Sequence, residues 1–209
     1  MRGAAGLIGV FLGVVSSTAV EPTVADKRRE CHLVPSYVFY AVSGDTEEEV
    51  LASMRRYGPK DDRGKSRFAL ADWDVAWDWK LDTRKGVDLS TVKITCSGVI
   101  TLPKLAVAQT TPQELVKSWN TFVERLRDHE LRHLQHATHR APEIMRRLTE
   151  AHSASQYLSP RSANTIAERL IGEIKSLDLS YDAWTNHGKT EGTWGINPAR
   201  MIFERNHSL

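Results

Sequence analysis

Hydrophobic and polar positions divide the chain into an alternating first half and a helically periodic second half. Ser36-Tyr-Val-Phe-Tyr-Ala-Val-Ser43 is rich in β-branched and aromatic residues and ends at Gly44, which predicts a strand. Thr46-Glu-Glu-Glu49 has the spacing of a capping box and predicts a short helix to about Arg56. Tyr57 to Gly64 is loop chemistry, with Gly58-Pro59 and Asp61-Asp62 close together. Trp73, Val75, Trp77, Trp79 and Leu81 then fall on one side of a predicted strand, and Asp72, Asp74, Asp78 and Lys80 on the other. A second alternating run sets Val92, Ile94, Cys96, Ile100 and Leu102 against Thr91, Lys93, Thr95 and Thr101, and is expected to stop at Pro103. These runs predict an antiparallel sheet with one buried and one wet face.

From Thr111 the period changes. Thr111 is placed to cap a helix, Pro112 suits its first position, and Glu114 completes a capping box. Leu115, Trp119, Phe122 and Leu126 recur at helical spacing, and the pattern continues to Ala141-Pro142. Ser159-Pro160-Arg161-Ser162 separates that helix from another over about 163–177, with Ile166, Leu170, Ile174 and Leu177 on one side. The expected fold is therefore α+β: an antiparallel sheet from the first half, packed against one long helix and a second.

Composition bounds the chemistry. The 209 residues are 41% hydrophobic and 26% charged with a net charge of +2, which suits one globular domain and gives no nucleic-acid surface. Met1-Arg2, the apolar run Gly6–Val15 and the small residues after it have the layout of a secretory signal peptide. We expect a leader over residues 1–19, cleaved there or as late as residue 25, followed by a single domain over 26–209. No later segment could span a membrane, so the mature chain is expected in the periplasm or outside the cell. In such a compartment Cys31 and Cys96 are expected to form one structural disulfide.

The candidate chemistry lies on the first long helix, in His129-Glu130-Leu131-Arg132-His133. Residues four apart share a helix face, so both imidazoles can reach one Zn²⁺ ion. Glu130 then lies beside the metal rather than on it, where a carboxylate can act as general base on water attacking a peptide carbonyl. The apolar stripe Leu115, Trp119, Phe122, Leu126 continues at helical spacing into His129, His133 and His136, so the histidines occupy the inward face. The bland alternative is a set of core histidines that are merely hydrogen-bonded.

A catalytic zinc needs a third protein ligand. His139 has the necessary spacing only if the helix breaks at His136; in a continuous helix it lies about 15 Å along the axis from His129. The other candidates are His187, beside Gly188, and Asp182, either as a direct ligand or orienting a histidine. Tyr181 is a candidate hydrogen-bond donor to a developing oxyanion.

His129-Glu130-x-x-His133, followed by Tyr181-Asp182-x-x-Thr185-x-His187-Gly188, resembles the family of predicted bacterial secreted zinc-dependent proteases catalogued as domain of unknown function 922. Tyr40-Ala-Val-Ser-Gly44-Asp-Thr46, Gly58-Pro59 and the Trp-rich strand are similar to it as well, so the likeness covers about Val38 to Gly192. The resemblance implies a bacterial source, a zincin-like peptidase architecture, His129 and His133 as ligands, Glu130 as base and His187 as third ligand. A peptide or protein is the expected partner. The competing functions are a secreted zinc-binding module without turnover and a zinc amidase acting on cell-wall peptides.

Overall fold

The computed structural model describes Cys31, residues 33–193 and residues 195–196. The expected leader lies outside the described residues.

Strand β1 (Ser36–Val42) leads through helix α1 (Glu47–Tyr57) to β2 (Leu70–Asp78). A two-stranded ribbon of β3 (Leu81–Asp82) and β4 (Gly86–Val87) follows, then the long β5 (Lys93–Leu105). The helical half consists of α2 (Gln113–Arg140), α3 (Glu143–Ser155) and α4 (Pro160–Trp184). The α+β expectation holds, and the alternation along β2 and β5 is reproduced. Val75, Ile94, Cys96, Ile100 and Leu102 are buried, and Asp72, Asp74, Asp78, Lys93 and Thr95 are exposed. Trp73, Trp77 and Trp79 are half-buried on the inner side, but Leu81 leaves the pattern for the β3–β4 ribbon and is exposed.

The sheet itself corrects the expectation of a purely antiparallel one. Its order is β1-β5-β2: β2 pairs antiparallel with β5, through Trp73↔Gly98 and Val75↔Cys96, while β1 pairs parallel with β5, through Phe39↔Leu102. The chain leaves β1, crosses by α1 and lays β2 at the far edge, so β5 enters between the two and meets them in opposite senses. Pro103 does not stop β5, because pairing with β2 already ends at Thr101 and leaves Pro103 on a stretch with one free side.

Capping decides two helix starts differently. Thr46 and Glu49 form the reciprocal capping box of α1. Thr111 does not cap α2. Its hydroxyl donates to Asp45 Oδ1 at 3.0 Å and accepts from Ala108 N at 2.9 Å, and Pro112 occupies the cap position without a side-chain bond. A tertiary carboxylate has outcompeted the local motif. Ser159 caps α4 by accepting from Ser162 N at 3.1 Å, so this helix starts at Pro160 and runs on to Trp184, past the expected end near Leu177. Tyr181 and Asp182 are therefore helical rather than following the helix. Helix α3 between the two long helices is an addition to the expected pair.

Two apolar clusters hold α2 against the sheet. Val50 and Met54 of α1, Ile100 and Leu102 of β5, and Trp119, Phe122 and Leu126 of α2 form one. Val75, Ile94 and Cys96 join Leu148 of α3 and Leu170 and Ile174 of α4 in the other, which also contains Ala137 of α2. Gly98 sets the closeness of approach: a Cβ there would stand 2.9 Å from Leu134 Cδ2 of α2. The Cys31–Cys96 disulfide ties the start of the described chain to β5, with Cα atoms 5.5 Å apart.

Candidate metal centre

Helix α2 supplies the first part of the site. Its buried face runs Trp119, Phe122, Leu126, His129, His133 and Ala137, the continuous stripe that the helical period requires. His129, Glu130 and His133 are 6%, 7% and 9% exposed, so three polar side chains sit where packing would favour apolar ones. The helix is unbroken through His136 to Arg140, and His139 points to solvent. The arrangement that would have brought His139 to the metal is thereby overturned.

Helix α4 supplies the second part. Asp178, Tyr181 and Asp182 are spaced three and four apart and share the face turned toward α2. His129 Nε2 lies 3.3 Å and His133 Nε2 3.4 Å from the same atom, Asp182 Oδ1. The opposite nitrogens are each held by another carboxylate. His129 Nδ1 is 2.7 Å from Glu191 Oε2, and His133 Nδ1 is 3.1 Å from Asp178 Oδ1. Asp178 also receives the indole N–H of Trp73 from β2 at 2.8 Å and lies 2.6 Å from His136 Nδ1.

A turn completes the surroundings. Asn186, His187 and Gly188 have φ of 50°, 54° and 79°, three successive left-handed residues after α4. Thr185, fully buried, fixes this turn by donating to Tyr181 O at 2.9 Å and accepting from Gly188 N at 3.1 Å. Gly188 cannot carry a side chain, since a Cβ would meet Thr193 Oγ1 at 2.4 Å and His129 Nδ1 at 3.2 Å. His187 is brought to the site at one remove: its Nδ1 lies 3.3 Å from Asp182 Oδ2, and its side chain is about half exposed. Tyr181 stacks on His129 with ring centroids 5.0 Å apart and donates its hydroxyl to Glu191 at 2.8 Å. It thus backs the histidines, with its hydroxyl engaged by Glu191.

Charge follows from these contacts. Burial opposes protonation of His133, but its hydrogen bonds to the Asp178 and Asp182 carboxylates outweigh it and push the imidazole up to about 10 in the metal-free chain. His129 is raised in the same way, against burial, by Asp182 and Glu191. Asp182 is held far below the usual carboxylate range: burial works against this, and the two histidines prevail. Glu130 goes the other way, because burial raises it more than His133, His129 and the Ala71 N–H lower it.

His129, His133 and Asp182 thus form one group whose donor atoms lie mutually close enough for a metal ion, and His133, His136 and Asp178 form a second. A cleft of ≈ 660 Å³ opens over the first, lined by His129, Glu130, His133 and Asp182 and by Phe68–Ala71, which lead into and begin β2. Residues 37–188 match the family described as bacterial protein of unknown function (DUF922). The chain belongs to that family. The matched span of this DUF922 protein runs from β1 to Gly188 and contains every residue of both groups, while Glu191 falls just beyond it. No curated protein and no solved structure matches the chain.

Asp178, Glu191 and Trp73 are the site residues that sequence reasoning missed. Asp178 was findable, one turn before Asp182 on the same helix face, had the helix been carried past Leu177. Nothing local distinguishes Glu191.

Proposed function

We propose that this DUF922 protein is a zinc-dependent peptidase of an oxidising extracytoplasmic compartment, with His129, His133 and Asp182 as ligands and Glu130 as general base. The observation that carries the reading is the convergence of both Nε2 atoms on Asp182 Oδ1 at 3.3 and 3.4 Å. Four ligands at about 2.0–2.1 Å from a tetrahedral ion stand about 3.3–3.4 Å apart. For hydrogen bonds, and for charge-assisted ones above all, these distances are long. The donor set fits zinc, and the carboxylates behind each Nδ1 hold the proton there, so that Nε2 is the nitrogen that gives up its proton to ligate.

When bound, zinc would supply a Lewis acid that polarises a peptide carbonyl and acidifies water. The protein's own contributions follow from placement. Glu130 lines the cleft beside the ligands, and its raised carboxyl suits a group that accepts a proton from water and returns it to the leaving amine. His187, on the second oxygen of Asp182, orients that carboxylate. The resemblance had implied His187 as third ligand; Asp182 takes that place in this proposal because its Oδ1 faces both Nε2 atoms. β2 carries no strand on its outer side among the described residues, and the residues leading into it line the cleft, which suits an extended peptide held by backbone hydrogen bonds. The Cys31–Cys96 disulfide supports the compartment, and no helix among the described residues is long and apolar enough to cross a membrane.

The test is cleavage of a mixed peptide library by the zinc-loaded protein beside Glu130→Gln, Asp182→Ala and His187→Ala. We expect cleavage by the wild type, abolished in Glu130→Gln with zinc retained, abolished in Asp182→Ala with zinc weakened, and reduced in His187→Ala. Zinc bound by all four with cleavage by none would replace the peptidase reading with a zinc-binding module. Cleavage confined to cell-wall peptides would redirect it to an amidase.

A further inference from the structure

The second group, His133, His136 and Asp178, shares a histidine with the first, so the two cannot be independent. A neutral imidazole has one N–H and one lone pair. If His133 gives its Nε2 lone pair to a metal beside Asp182, its Nδ1 must carry the proton and can only donate to Asp178 Oδ1, 3.1 Å away. The second group is then closed to a metal by the filling of the first. Its own geometry agrees: His136 Nδ1 and Asp178 Oδ1 are 2.6 Å apart, a hydrogen-bond distance. Two ligands of one tetrahedral ion would need about 3.3 Å. The other oxygen of Asp178 is also occupied, by the Trp73 indole N–H at 2.8 Å.

We propose that Asp178 is a positioning residue, which presents His133 Nε2 to the metal by holding Nδ1–H, and that the chain accordingly takes one metal ion and not two. This rests on the metal-centre reading above. Trp73 and His136 hold Asp178 from two sides, and through Trp73 the setting of His133 depends on the sheet as well as on the two helices. Asp178 itself is on α4, so one carboxylate joins β2, α2 and α4 at the ligand.

The measurement is titration of the purified chain with Zn²⁺ against a chromophoric chelator, and with Co²⁺ as a visible-absorption probe. One ion per chain is expected. Asp178→Asn should keep that stoichiometry, weaken zinc by about 10–100-fold and alter the cobalt spectrum, since the tautomer and ring setting of a ligand change. Trp73→Phe keeps the ring and removes the donor, so it should shift both readouts the same way and by less. It also carries the test if Asp178→Asn does not fold. His136→Ala should leave one ion bound.

Two ions in the wild type, falling to one in Asp178→Asn, would overturn the proposal in favour of a second metal site. Wild-type zinc affinity and cobalt spectrum in Asp178→Asn or, should that variant not fold, in Trp73→Phe would reduce Asp178 to a structural role and overturn it too. Failure of the underlying reading looks different: His133→Ala would then bind zinc as the wild type does, or the wild type would bind none.

Discussion

The two carboxylates behind the candidate ligands come from unlike regions. Asp178 sits within α4, its side chain 17% exposed, and is braced by Trp73 and His136. Glu191 sits in a single 3₁₀ turn, its side chain 34% exposed, and is braced by Tyr181. Both accept from a histidine Nδ1, yet one belongs to a packed helix pair and the other to a turn of left-handed residues. The difference teaches that an orienting bond is only as firm as its support. A charge-assisted bond in a buried, multiply braced setting is worth more than the same bond where water competes.

The largest effect should come from the core under the inner side. Ile174, fully buried and one turn before Asp178 on α4, packs in the cluster that includes Ala137 of α2. Ile174→Ala should cost about 2–5 kcal/mol in denaturant unfolding and weaken metal binding with it. A cost under about 1 kcal/mol would mean that the helix pair is not what supports the site. On the turn side, Gly188→Ala would force a φ of 79° on a residue whose Cβ meets Thr193 and His129. Its expected cost is about 1–3 kcal/mol. Metal affinity should fall more than the melting temperature suggests, because the intrusion is against His129, a candidate ligand.

Proton competition tests both sides together. His133 is pushed up to about 10 and His129 is raised, so at neutral pH the metal-free site holds protons that a metal must displace. Zinc affinity should strengthen as pH rises, by about tenfold per unit for each displaced proton. Calorimetry in buffers of different ionisation enthalpy would count the protons released. For the metal-free fold the sign is opposite. The charged His133 contributes stability that is complete below the ordinary imidazole value of about 6.5 and is lost as pH rises towards about 10. Uptake that is flat between pH 6 and 8 would break this part of the account.

The smallest predicted effect sharpens the comparison most. Glu191→Gln should weaken zinc only a few-fold, less than Asp178→Asn, in the same chelator titration. The reverse order would show that the turn, and not the helix pair, sets the ligand geometry.

Much of this was legible in the chain, for reasons that differ by residue. The placing of His129, Glu130 and His133 on a buried helix face needed only the 3.6-residue period and the stripe from Trp119 to Leu126. The alternation of Val75, Ile94 and Cys96 against Asp72, Asp74 and Lys93 needed only the pleat. The Thr46–Glu49 box closed as its spacing predicted, with Thr46 Oγ1 accepting from Glu49 N and Glu49 Oε2 from Thr46 N. Thr111 had the same local signal and lost it to Asp45, a residue 66 positions away.

Local periodicity thus determined, from sequence alone, which side chains share a face and which face turns inward. It did not determine what each face meets. That β1 runs parallel to β5 was decided when β5 entered the sheet between β1 and β2, and that Asp182 faces both imidazoles with Asp178 and Glu191 behind them was decided when α4 and the turn after it packed along α2. The physical reason is range. A helix period or a pleat is written in neighbours a few residues apart, whereas a candidate ligand set whose members lie 53 residues apart exists only once burial has brought the helices together.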